Sequence, residues 1–164
     1  MKRLDTSESR TIDYSADVAS LERYYENRFD LIKKGNTDLV TLELVMLGKA
    51  LDFIHFAGSK LGITLDTNEA SVEKLEEVID ALGRGVLQDN LFSGESGDIA
   101  GNMSGYLGVL VIANIGGEWT DTENGAAVNV NDRLAYVCDY IEKRLLGMSE
   151  LDVMSYFKSV GIVR

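Results

Sequence analysis

The sequence predicts an α+β domain, mostly helical, with a small antiparallel β-hairpin at 118–130 and two central apolar helices, about 38–61 and 98–115. Three observations predict it. Apolar residues recur at helical spacing over several separate stretches. Two of those stretches are apolar over so wide an arc that they pack on more than one side. Asn124-Gly125 separates two short runs that suit strands, a strong hairpin signal.

Residues 1–15 are polar and read as a loose segment. Residues 16–164 read as one globular domain, a size at which roughly two-thirds of the unfolded surface can be buried around one core. Ser15 is placed to cap a helix through Leu31, with Val18, Leu21, Tyr25, Phe29 and Ile32 on one stripe and Gly35-Asn36 as its break. Thr37 opens the long helix 38–61. Leu39, Leu42, Met46, Ala50, Phe53 and Ala57 line one face; Val40, Leu44, Leu47, Leu51 and Ile54 line the next. Gly62 ends it. Ile63–Leu65 is extended and is expected to join the hairpin, since a two-stranded ribbon is marginal alone. Ser71 begins a helix with Val72, Leu75, Val78, Ile79 and Leu82 as its apolar face, and Gly83-Arg-Gly85 stops it. Residues 84–97 show no period and read as a loop.

The helix 98–115 follows, stopped by Gly116-Gly117. A two-residue loop at Asn124-Gly125 sets Trp119 opposite Val130, Thr120 opposite Asn129 and Asp121 opposite Val128. Trp119, Val128 and Val130 then share the buried side. Asn131 or Asp132 is placed to cap a helix through Leu146. Ser149 opens the last helix, with Asp152 completing a capping box.

Sixteen Lys and Arg against 27 Asp and Glu give a net charge of −11. Such a field repels phosphate backbones and anionic lipid, so neither nucleic acid nor membrane is an expected partner, whereas a basic protein is. The single cysteine, Cys138, excludes an intrachain disulfide and suits a reducing compartment. Leu134, Val137 and Ile141 surround it at helical spacing, as around a small buried hydrophobe. The N-terminal residues lack a signal-peptide apolar stretch, and the apolar region 105–115 is too short to span a bilayer. The expected location is cytoplasmic.

Candidate sites are few. Gly97, Gly101, Gly105 and Gly108 form one stripe on the helix 98–115. Each interior glycine costs about 1 kcal/mol against alanine, so the stripe implies a close neighbour: the backbone of the helix 38–61 or, alternatively, a ligand. The spacing is not that of a phosphate loop. Glu43 lies between Leu42 and Leu44 on the broadly apolar helix, where burial would perturb it. Asn114, Glu118 and Trp119 gather amide, carboxylate and indole where a helix end meets a strand, with Tyr106 on the same helix. The alternative is a tryptophan core anchor and an asparagine capping its own helix. Glu69, Glu73, Glu76, Glu77 and Asp80 form an acidic run that could receive a basic partner or simply be solvated. His55 is the only histidine; no metal set, cofactor motif or catalytic constellation is expected.

Two blocks carry a family resemblance. GITLDTNEASVEKLEEVIDAL and GYLGVLVIANIGGEW resemble, in order and spacing, two blocks of the DUF3806-like family of small uncharacterised bacterial proteins. In the second block the matching positions are Gly105, Tyr106, Leu107, Gly108, Asn114, Gly116, Gly117 and Trp119. The match spans about 63–130. It implies a fold and no catalytic residues. With no catalytic set assembled, the expected function is a noncatalytic interaction or accessory module, of toxin-neutralising type for example. The alternative is a small-ligand binder or enzyme with its site between the glycine stripe and Glu118-Trp119.

Overall fold

A computed structural model describes residues 12–82 and 98–162. These contain six α-helices and a small three-stranded antiparallel sheet. The loop expected at 84–97, the Gly83-Arg-Gly85 stop and Gly97 lie outside the described residues.

The first helix, α1, is Val18–Lys33. Asp17, not Ser15, caps it, accepting from the Ser20 N–H at 2.8 Å. Ser15 is committed to Asp13, donating through Oγ at 2.5 Å. Phe29 leaves the expected stripe for solvent, and Arg28 is buried instead with its guanidinium 4.5 Å from the Tyr24 ring centre.

The long helix is broken at its start. Thr37–Leu39 makes one tight turn, and the exposed Val40 is extended. Thr41 restarts the chain as α2, Leu42–Phe56, by accepting from the Leu44 N–H at 3.2 Å. A wider turn over Ala57–Leu61 follows, closed by Gly62 at φ +69°. Both expected faces of α2 are largely buried, which makes it central.

The segment 62–69 joins no sheet, contrary to expectation. Side chains from elsewhere take up its backbone groups instead of a ladder. Ser71 Oγ accepts from the Asp66 N–H at 2.9 Å, Tyr106 donates to the Asp66 carbonyl at 2.5 Å, and Asn114 donates to the Thr67 carbonyl at 2.9 Å. Helix α3, Ala70–Ala81, buries Val72, Leu75, Val78 and Ile79 as its pattern requires.

Helix α4, Ile99–Asn114, is capped by Asp98 and buried on nearly all sides. Its glycines have separate reasons. A methyl on Gly105 would stand 2.9 Å from the Met46 carbonyl oxygen and 3.3 Å from the Ala50 nitrogen of α2. On Gly108 it would collide with the Trp119 ring, and on Gly101 with the carboxylate of the capping Asp98. The stripe therefore serves packing, backbone to backbone at Gly105.

Strands β1, Glu118–Thr122, and β2, Gly125–Val130, pair with Trp119 opposite Val128 and Thr120 opposite Ala127. The register is two residues from the expected one. The turn is Glu123-Asn124, braced by Thr122 Oγ1, which accepts from the Asn124 N–H at 3.0 Å and donates to the Gly125 carbonyl at 2.7 Å. Only Gly125 has positive φ there, +102°, so the hairpin takes the longer form with a glycine after the turn. The slip is even, so Trp119, Val128 and Val130 are all buried.

Asn131-Asp132 forms a turn rather than a helix cap. Both residues have positive φ, 53° and 66°, the mark of a primed hairpin turn. They lead into β3, Arg133–Ala135, which pairs with β2 and supplies the third strand. The helix expected from there through Leu146 is shortened to α5, Val137–Leu145. Helix α6 is Val153–Val160. Asp152 is its cap, accepting from the Ser155 N–H at 2.7 Å, so Ser149 and Asp152 form no capping box.

Candidate functional site

Three of the predicted ligand residues meet. Glu43 in the first turn of α2, and Glu118 and Trp119 at the start of β1, line a cleft of about 210 Å³. Gly117, Ile12 and Ile112 line it as well. Gly116 and Gly117, at φ +115° and +110°, turn the chain from α4 into β1 and so set Trp119 beneath the cleft.

Glu43 is partly buried and Glu118 exposed. Neither forms an ion pair among the described residues. Among the described residues no lysine, arginine or histidine lines the cleft.

The fourth polar member, Tyr14, escaped the sequence analysis, which placed it in the loose segment. It is 7% exposed, and Trp119 is 4% exposed. The Tyr14 hydroxyl and Trp119 Nε1 are both buried and have no hydrogen-bond partner among the described residues. Burial pushes the Tyr14 phenol well above its usual pKa, and the nearby Glu43 carboxylate adds to the rise. The indole N–H lies close enough to oppose it, yet completes no hydrogen bond of good geometry. Such orphaned buried groups are rare and call for an explanation. The only sequence signal was the Ile12, Tyr14 pair in an otherwise polar stretch.

Tyr106 and Asn114 do not reach this cleft. Tyr106 is wholly buried, with its hydroxyl on Asp66. Asn114 spends both amide hydrogens on the Thr67 and Leu110 carbonyls, each at 2.9 Å, tying the end of α4 to the segment 62–69.

Of the acidic run, Glu73, Glu77 and Asp80 are exposed on α3, and Glu69 is exposed just before it. Glu76 is not a free surface carboxylate. It accepts from Arg144 at 2.7 Å and from the Val153 N–H, the first residue of α6, at 2.9 Å. Arg144 also donates to the Ser149 carbonyl at 3.1 Å. One clamp thus ties α3 to the link between α5 and α6.

That link carries the most exposed apolar side chains of the region: Met148 at 69%, Leu146 at 54% and Leu151 at 45%. Leu151 also borders a groove of about 370 Å³ between β3, α5 and α6. Exposed Leu134 and Tyr136 form its other wall, over the stacked rings of Tyr140 and Tyr156, 4.0 Å apart. The sequence signal was an apolar link between two helices, with Gly147 as its only small residue before Met148.

Cys138 is half-buried beside this region rather than fully buried, and Leu134 is exposed on β3 rather than packed beside it. Burial pushes the thiol's pKa up, which disfavours the reactive thiolate. His55 is exposed near the end of α2. Among the described residues no three His, Cys, Asp or Glu gather to hold a metal, and no helix is long and apolar enough to cross a membrane. Comparison with family models, with curated proteins and with solved structures finds no match to this chain.

Proposed function

We propose that the protein is a noncatalytic interaction module that receives a basic, amphipathic segment of another protein. One observation carries the reading. The exposed apolar link Leu146, Met148 and Leu151 is joined through Arg144 and Glu76 to α3, whose Glu73, Glu77 and Asp80 are exposed, as is Glu69 just before it. Contiguous exposed apolar surface with a charged border suits a protein partner. The carboxylates raise the encounter rate and select for positive charge, while burial of the link supplies affinity. A cationic toxin or another basic protein has the required chemistry. The net charge of −11 disfavours nucleic acid and anionic membrane as alternatives. A cytoplasmic setting belongs to the same proposal, on the single cysteine.

The DUF3806-like resemblance is carried forward in the same way. Its second block coincides with residues that have packing work: Gly105 against α2, Gly108 under Trp119, Asn114 on Thr67. A fold-level relationship of that kind supports an accessory role and assigns no chemistry.

The test is affinity capture from native lysate, followed by reconstitution with the purified partner. Three baits are compared: the wild type, Met148→Asp with Leu151→Asp, and Glu73→Lys with Glu77→Lys and Asp80→Lys. One stoichiometric partner is expected, lost by the first variant and bound more slowly by the second. Capture of nothing but salt-labile cationic material, equally by all three baits, overturns the reading.

A further inference from the structure

We propose that the basic segment binds as an extended strand, added to the free edge of β3 and laid along the groove between β3, α5 and α6. The proposal rests on the partner reading above and adds to it the binding mode and the strand that is paired.

The register sets the geometry. β3 is an outer strand of the sheet. Paired residues of an antiparallel ladder alternate between exchanging both backbone bonds and exchanging none. The two-residue turn Asn131-Asp132 closes on Val130 and Arg133, which exchange both. Asn129 and Leu134, the next pair, therefore exchange none. The Leu134 N–H and C=O point away from β2, and among the described residues no turn, loop or helix backbone takes them up. Such an edge is a template for another strand unless it is blunted. This one carries no proline and no bulge, and its middle side chain, Leu134, is 42% exposed.

Strand addition draws affinity from main-chain bonds and specificity from pockets for alternate side chains. The edge supplies the first and the groove the second. Leu134, Tyr136 and Leu151 wall the groove above the stacked Tyr140 and Tyr156 rings. Its volume of about 370 Å³ is that of roughly twelve waters at about 30 Å³ each, enough for alternate apolar side chains of one strand.

Charge selects the occupant. The two cations that line the groove are already engaged: Arg133 donates to the Ile162 carbonyl at 2.6 Å, and Lys143 pairs with Asp139 at 3.2 Å. Asp132, Glu150 and Asp152 are exposed and flank lining residues in the chain. With Asp139 they outnumber the two cations. The surface therefore favours a strand whose polar face carries Lys or Arg. A second copy, with its own net charge of −11, is repelled.

The probe is a capped peptide of about seven alternating Lys and Val residues, near the usual strand length, titrated into the isotope-labelled protein. The Leu134 amide resonance is expected to shift with a Kd of about 1 mM. Its hydrogen exchange is expected to be fast in the free protein and about tenfold slower at about ten times Kd, by mass action. The same peptide N-methylated at alternate amides keeps the charge and the side chains but loses the backbone donors. It is expected to bind about tenfold more weakly, as is a Glu and Val peptide of equal length. Leu134→Pro removes the outward N–H and no ladder bond, a substitution that edge strands accept, and is expected to weaken binding about fivefold. The peptide comparison on the wild type decides the matter even where that variant fails to fold.

Equal binding of the N-methylated peptide overturns the proposal. So does Leu134 exchange that slows with protein concentration in the absence of peptide, since a second copy then holds the edge. Peptide that shifts Met148 and leaves Leu134 unmoved ends strand pairing and spares the partner reading. Pairing at Leu134 beside a failed affinity capture supports the strand site and ends the partner reading instead.

Discussion

Where α4 meets α2, Gly105 lets the Met46 carbonyl oxygen come within 2.9 Å of the place a methyl would occupy. Where α3 meets α6, one carboxylate, Glu76, holds Arg144 at 2.7 Å and the first N–H of α6 at 2.9 Å. The first seam is steric. Its neighbours are the Met46 and Ala50 backbone and the Lys49 Cβ, none of which can move without moving a helix. The second is polar and lies at the margin, with the Arg144 and Glu76 side chains 21% and 24% exposed. The difference separates a part of the molecule that fixes the fold from a part free to adjust. The face proposed to receive a partner borders the adjustable kind of contact.

Gly105→Ala is the largest expected effect. Alanine is the better helix former by about 1 kcal/mol, so propensity alone would stabilise the protein. Overpacking against the Met46 carbonyl reverses the sign, for a net loss of about 1–3 kcal/mol in denaturant unfolding. Gly48→Ala on α2 is the paired control. The atoms its methyl would meet first belong to the far end of the Tyr25 ring, a half-buried side chain that can swing aside. If the two substitutions cost the same, the steric account of the α2–α4 seam fails.

Glu76→Ala comes next. It leaves the Arg144 guanidinium and the Val153 N–H without their acceptor, and the expected loss is about 1–2 kcal/mol, discounted for partial exposure. Raising the salt concentration should narrow the gap between wild type and variant, because an accessible ion pair is screened. The gap at Gly105 should not respond to salt. A salt-independent loss at Glu76 would mean that the α3–α6 clamp is steric too, and would remove the contrast between the seams.

The steric seam was legible in the sequence and the polar one was not, for a physical reason. Glycine spacing and a broad apolar arc are local patterns, and they survive whatever the rest of the chain does. They placed α2, α4 and the buried side of the hairpin. Partners of polar groups are chosen over long distances. Glu76 meets Arg144 across 68 residues and Tyr106 meets Asp66 across 40, and no periodicity records either pair. Turn chemistry failed by degeneracy. Asn124-Gly125 suits both a two-residue primed turn and a turn followed by glycine, and the Thr122 side chain decides between them. Asn131-Asp132 suits both a helix cap and a primed turn, and reading it as a cap hid β3. The cleft was half legible for the same reasons. Glu43, Glu118 and Trp119 stood out by type and position, whereas Tyr14 reaches them only once the chain has folded.

Alkaline titration offers the smallest effect and the sharpest distinction between seams. Burial raises the pKa of Tyr14, Tyr106 and Tyr140 strongly, and that of Tyr156 to about 12. Tyr156 is held up mainly by burial against Tyr140, with the Asp139 carboxylate adding to it. A tyrosine whose pKa is higher folded than unfolded favours the folded state while it stays neutral. Its contribution is complete below the unfolded value of about 10 and is lost as pH rises through the folded value. Stability should therefore fall from about pH 10 upward. Tyr156 on α6 should ionise before the deeper Tyr106 beside α2. Tyr156→Phe keeps the ring stack and removes the phenol, so its stability should hold to higher pH than the wild type's. Phenolate absorbance should then show fewer groups titrating before the helical signal is lost. If Tyr156→Phe instead unfolds at the same pH as the wild type, the α2–α4 seam yields first, and the ranking of a rigid seam over an adjustable one is reversed.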